Sequence, residues 1–170
     1  MFNVKINQIP IKLCLLLSLL LVILMLNACS STKYTLKMLG VGSDNAIKNI
    51  TLVSFPDSNM NSPVAIDLLF VNDDSISPLL LGLSGSEWFN DKALLLSRYG
   101  KALDVVSLEV VPLSFVESVD LPKTKKLAQR VLMFTNYRSR NGQFVADISQ
   151  YKSLTIRLLF DTYELIEMSE

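Results

Sequence analysis

An apolar run at residues 13–26, interrupted only by Ser18, is followed after a polar stretch by apolar and polar positions alternating with a period of two. The alternation is clearest over Val64–Val71, where Val64, Ile66, Leu68 and Phe70 share one face and Ala65, Asp67, Leu69 and Val71 the other. Successive side chains of a strand point to opposite sides, so this segment reads as a strand with one wholly apolar face. Residues 103–113 repeat the pattern, with Val106, Leu108 and Val110 against Ser107, Glu109 and Val111. Residues 154–161 set Leu154, Ile156, Leu158 and Phe160 opposite Thr155, Arg157 and Asp161. Residues 131–137 are apolar on both faces, as a central strand requires. Weaker strands are predicted at 48–55, 114–121, 144–148 and Tyr163–Glu167.

Turn chemistry separates these segments. Asn141-Gly142, after Arg140, predicts a tight hairpin in which both residues take positive φ. Pro56-Asp57-Ser58-Asn59 and Asn61-Ser62-Pro63 bracket a polar loop between two strands. One stretch breaks the rhythm. Ser84 and Glu87 have the spacing of a capping box, which satisfies two helix-start amides at once. Trp88, Leu95 and Tyr99 follow at helical spacing beside Phe89 and Leu96, and Gly100 is placed for a left-handed stop. A helix over about 85–99 is therefore predicted, with Asp91 and Lys92 facing water, Trp88 and Phe89 packed on a sheet, and a short turn at 77–81 before it. The fold class is all-β, a β-sandwich with one inserted helix.

The N-terminus follows a different rule. Lys5 and Lys12 precede the 13–26 run, which has 14 residues and falls short of the roughly 18–20 that span a bilayer. A positive flank, a short apolar region and small residues at its end are the plan of a secretory signal peptide. The ending Leu26-Asn27-Ala28-Cys29 resembles a bacterial lipobox, which implies cleavage before Cys29 and acylation of its thiol. The alternative is an uncut signal anchor with Cys29 a bystander. The Ser-Ser-Thr tether that follows the cysteine favours cleavage. The predicted organisation is a signal peptide at 1–28, a lipidated N-terminus and tether at 29–47, and the sandwich at 48–170. Ser30 stands where inner-membrane retention would call for aspartate, so the resemblance implies an outer-membrane lipoprotein facing the periplasm. Acyl chains contribute about 0.8 kcal/mol per buried methylene, so two or three of them hold permanently.

Composition narrows the chemistry. The 170 residues carry 16 basic and 16 acidic side chains and no histidine. Lys5 and Lys12 leave with the signal peptide, so 14 basic groups face 16 acidic ones in the mature chain. A body without excess positive charge argues against nucleic-acid binding. Without histidine the common catalytic triads are absent, and two cysteines, one of them Cys14 in the signal peptide, exclude a cysteine–histidine metal site. Ser30 with Lys33 and Ser149 with Lys152 have the spacing of a serine–lysine pair, and Asp73-Asp74 is an adjacent acid pair. Coincidence explains the first two and a polar turn the third. No enzyme activity, cofactor or metal is expected. Lys123, Lys125, Lys126 and Arg130 form the basic cluster, either a solvated loop or a contact for an acidic partner, a lipid headgroup or peptidoglycan. A ligand- or peptidoglycan-binding envelope lipoprotein is thus one reading of the chain.

The order of elements supports another. A lipobox, a strand, a polar loop ending in Ser62-Pro63-Val64, an inserted helix with Trp88-Phe89, a strand ending at Pro112 and the segment Phe134-Thr135-Asn136-Tyr137-Arg138 together resemble the outer-membrane lipoproteins of the type VI secretion apparatus, the TssJ family. The likeness runs over about 48–163. The chain is a divergent case: its loop before Ser62 lacks the family's Gly-Arg-Pro-type approach. The resemblance implies a transthyretin-like β-sandwich with an added helical element and a structural role. The implied partner is the periplasmic region of the large inner-membrane subunit, TssM, together with other membrane-complex subunits. The family's contact loop corresponds to Asp57, Ser58, Asn59, Met60 and Asn61.

Overall fold

The computed structural model describes residues 45–168. Eight strands form two four-stranded sheets. The first sheet has the order β4-β1-β7-β8, with β1 at Asn49–Ser54, β4 at Phe115–Val116, β7 at Ser153–Leu158 and β8 at Tyr163–Glu167. The second has the order β3-β2-β5-β6, with β2 at Val64–Val71, β3 at Leu103–Val110, β5 at Arg130–Thr135 and β6 at Ala146–Asp147. All pairings are antiparallel except β1 with β7, which run parallel from Asn49↔Ser153 to Ser54↔Leu158. The predicted sandwich with one inserted helix is the observed architecture.

The period-two faces find their places in two cores. Ile50 and Leu52 of β1, Val64, Ile66, Leu68 and Phe70 of β2, Val131 and Met133 of β5, and Leu154, Ile156 and Leu158 of β7 fill the space between the sheets. The opposite face of β2 and β5 is buried as well: Leu69, Val71, Leu132 and Phe134 pack beneath the helix segment with Leu80 and Trp88. Packing also reaches ahead of β1, where Ile47 is buried in the inter-sheet core. The edge strands β4 and β6 have only two residues each, which limits the unpaired backbone they offer to other chains.

Helix α1 spans Ser77–Leu81 and α2 spans Gly85–Tyr99. The predicted capping box is formed: Ser84 Oγ accepts from Glu87 N, and the Glu87 carboxylate accepts from Ser84 N at 2.7 Å. That backbone hydrogen bond, reinforced by the Ser84 hydroxyl, holds the Glu87 carboxyl below the usual range. Trp88 is fully buried, stacks on Phe134 at 5.2 Å, and donates from Nε1 to Asp67 at 2.7 Å.

Four expectations are corrected. Lys92 is only partly exposed to water; its Nζ meets Asp67 at 2.7 Å and donates to Ser107 at 2.8 Å. Gly100 is right-handed, with φ −58°, and the chain passes into a 3₁₀ turn at Gly100–Ala102 instead of a left-handed stop. Asn141 and Gly142 lie in a 3₁₀ turn, Arg140–Gly142, and neither has positive φ. A Cβ on Gly142 would lie 2.3 Å from the Tyr137 ring, so close approach and not handedness requires glycine there. Phe160, expected on the apolar face of β7, is half exposed, because the strand ends at Leu158 and Leu159 N closes a turn onto Thr162 O.

Candidate functional site

The polar loop between β1 and β2 is held in an uncommon conformation. Asn59, Met60 and Asn61 have φ of 48°, 56° and 58°, a consecutive left-handed run. For L-residues this geometry crowds Cβ against the following carbonyl, at about 1–2 kcal/mol per residue; asparagine is among the few side chains that visit it routinely, and methionine is not. Such a run persists only where its surroundings fix it. Asn59 N and Met60 N donate to Leu159 O and Phe160 O, both at 3.0 Å. Asn61 N returns to Asp57 O and Ser62 N to Ser58 O, at 3.3 and 3.2 Å. Asn59 Nδ2 donates to Pro63 O and Asn59 Oδ1 accepts from Arg138 N, each at 2.7 Å. Ser58 and Ser54 share a hydroxyl–hydroxyl bond of 2.7 Å. The Arg138 guanidinium adds a bond to Ser62 Oγ at 3.2 Å.

This network divides the five residues expected to touch a partner. Ser58 and Asn59 are buried, and their polar atoms are spent within the domain. Asp57, Met60 and Asn61 are exposed. The backbone bond from Met60 brings Phe160 alongside, and both carry exposed apolar side chains. At the same end of the sandwich Leu113, itself at φ 65° and 74% exposed, donates its N–H to Phe55 O at 3.4 Å. Met60, Phe160 and Leu113 thus gather three exposed apolar side chains from three connections at one end. Periodicity did not single out Phe160 and Leu113 as exposed, since it extends the alternation past the strand ends: Phe160 lies two residues beyond β7 and Leu113 three beyond β3.

The other candidates are engaged elsewhere. Ser149 Oγ donates to Asp147 at 2.5 Å and accepts from Val131 N at 2.8 Å, which ties the β6–β7 turn to β5. Asp73 has its pKa lowered by the Ser75 hydroxyl and by Ser75 N, which donates to it at 3.0 Å, and Asp74 pairs with Arg130 at 3.0 Å. Arg130 also meets Asp147 at 2.5 Å, so its charge is spent in the fold. A cleft of about 460 Å³ lies between Ser84, Ser86 and Glu87 at the start of α2 and Arg140, Gln143 and Phe144, but its acid is consumed by the capping box. Among the described residues no group of three or more acids or cysteines is placed to hold a metal ion, and no helix is long and apolar enough to cross a membrane. Cys29, Ser30 and Lys33 lie outside the described residues, as does the signal segment 1–28.

The fold is that of TssJ-type lipoproteins. It superposes on the type VI secretion lipoprotein TssJ1 of Pseudomonas aeruginosa with a TM-score of 0.53 at 15% identity, over 73% of this chain and 96% of that one. Lip of Serratia marcescens, a membrane-bound component of the type VI secretion system, gives 0.54 at 10% identity, over 72% and 96%. A chain of a type VI membrane complex gives 0.52 at 12% identity, over 69% and 95%. No protein-family profile and no curated protein sequence matches the chain.

Proposed function

We propose that this chain is a divergent TssJ-type lipoprotein and a non-enzymatic part of a type VI secretion membrane complex. In this reading Cys29 is acylated, the sandwich hangs from the outer membrane into the periplasm, and the β1–β2 loop docks on the periplasmic domain of a TssM-like inner-membrane subunit. The observation that carries it is the strained Asn59–Asn61 run, whose residues make five hydrogen bonds to backbone groups while Asp57, Met60 and Asn61 stay exposed. A preorganised loop loses little conformational freedom on docking, and an exposed, adaptable methionine beside an aromatic is a suitable anchor.

The test is affinity purification of the lipoprotein from its own cells. Wild type should carry the large inner-membrane subunit with it, and Met60→Asp with Phe160→Asp should reduce that recovery at least about tenfold, the loss of one hot-spot residue. Undiminished recovery would remove the loop from the interface. Cys29→Ser should leave the domain out of the membrane fraction, and unchanged fractionation would refute the lipid anchor.

A further inference from the structure

The described chain begins where its lysines gather. Asn45 Nδ2 donates to Lys125 O at 2.9 Å and to Ala128 O at 2.6 Å, and Lys125 Nζ returns to Lys48 O at 3.2 Å. The residues entering β1 are therefore bound to the 3₁₀ turn Lys123–Lys126. Lys48, Lys123 and Lys126 are exposed and form no ion pair among the described residues, and Leu127, 53% exposed, follows directly. The acids of this end are partly engaged: Asp73 caps Ser75, and Asp104 accepts from Thr124 and Asn72, while Asp120 stands nearest the turn in sequence. The docking loop leaves β1 from its other end, six residues along, about 20 Å at the rise of a strand.

We propose that the Lys48/Lys123–Leu127 end is a membrane-contact face, with the phosphate headgroups of anionic phospholipid as its ligand. Fifteen residues, Ser30 to Asp44, join Cys29 to this end. They reach up to about 50 Å, so an acyl anchor alone holds the domain near a leaflet without choosing which face meets it. Lysines close to an anionic surface each add attraction within a Debye length, and an apolar side chain among them can enter the headgroup layer. The face that the tether enters is the one kept in reach with most slack to spare, and turning it to the leaflet points the β1–β2 loop away. How the domain reaches the membrane rests on the proposed acylation of Cys29; the lipid-binding surface does not.

The experiment uses the lipoprotein purified from membranes, with an environment-sensitive fluorophore on Leu127→Cys, and a control probe on Leu113→Cys at the loop end. Added to phosphatidylethanolamine vesicles containing phosphatidylglycerol, the Leu127 probe should shift to the blue and the Leu113 probe should not. Vesicles of phosphatidylethanolamine alone should give no shift, and about 0.5 M salt, where screening shrinks to a few ångströms, should abolish it. Lys123→Glu with Lys126→Glu should lower the docked fraction about fivefold or more per lysine. A Leu127 probe no more responsive than the Leu113 probe overturns the proposal, as does lysine-dependent sedimentation with peptidoglycan sacculi without a response to anionic vesicles. Flotation with the zwitterionic vesicles reads the acyl anchor separately. A chain that does not float refutes acylation, and the Leu127 shift still decides the lipid surface.

Discussion

At Gly85 the requirement for glycine is steric, whereas at Gly100 nothing requires it. A Cβ on Gly85 would lie 1.9 Å from the carbonyl oxygen of Thr135, backbone against backbone, because the start of α2 sits directly on the end of β5. At Gly100 the same atom meets nothing within 4 Å, and the residue is right-handed. Gly85→Ala should cost at least about 2–3 kcal/mol, the range of a forced backbone shift, while Gly100→Ala should be neutral or gain about 0.4–1 kcal/mol by restricting the unfolded chain. Urea denaturation of the two variants checks both signs. Met60 is the third such case. Met60→Gly relieves a left-handed side chain and loses some unfolded-state advantage, so stability should change by between zero and about +1 kcal/mol while partner recovery falls. A loss above about 1 kcal/mol would show that the methionine packs to hold the loop. None of this handedness was legible in the sequence. Asn-Gly and a helix-ending glycine carry the strongest left-handed signals, yet the fold uses them for a close approach and a 3₁₀ turn, and places left-handed residues at Asn59-Met60-Asn61 and Leu113.

Among the elements, the strands were legible because burial on one or both faces writes a period of two directly into the chain. Val64–Val71 and Tyr163–Glu167 fall on their predicted bounds, and α2 matches its capping box and aromatic spacing. What the pattern could not show is which strand faces which helix. Asp67 looked like an ordinary polar position in β2; it is 1% exposed and receives both Trp88 Nε1 and Lys92 Nζ at 2.7 Å. The charge docks α2 on the second sheet and sets its register, because only one turn of the helix can present an indole and an ammonium together. Asp67→Ala leaves the indole donor unpaired in a packed core, although Lys92 retains partial access to water. A loss of about 2–4 kcal/mol is expected, below the full penalty for orphaning a wholly buried charge. Trp88→Phe should cost about 1–3 kcal/mol through the same lost bond and a smaller stack. If Asp67→Ala changed thermal unfolding no more than a surface substitution does, the helix would be held by its apolar contacts alone.

For the molecule as a whole, the proposed docking and membrane faces lie at the two ends of the sandwich, and its stability has to come from the core between them. The inter-sheet core includes the rings of Tyr137 and Tyr163, whose hydroxyls donate to Leu159 O at 3.3 Å and Phe144 O at 2.8 Å. Burial raises the pKa of both, and pushes Tyr163 up to about 12. A raised folded-state value means the neutral form is favoured by the fold, so the stabilisation is complete below the unfolded pKa near 10. It is lost as pH rises from there through the folded value, because the unfolded chain releases its protons first. Stability to urea should accordingly fall between about pH 10 and 12. For Tyr163 the loss is about 1–2 kcal/mol once its partial exposure is allowed for. Tyr163→Phe removes one of the two ionisations, so its stability should decline less steeply over that window than the wild type's. An equal decline would place the alkaline weakness outside this hydroxyl. The loop network should outlast this window, since Tyr137 donates to Leu159, the carbonyls of Leu159 and Phe160 hold Asn59 and Met60, and burial raises the Tyr137 pKa further than that of Tyr163. In the folded chain that donor stays in place behind the β1–β2 loop after the unfolded chain has released its tyrosine protons. Hydrogen exchange at the Asn59 and Met60 amides should therefore rise beyond its ordinary base catalysis only together with global unfolding, and a rise at lower pH would show that this turn opens on its own.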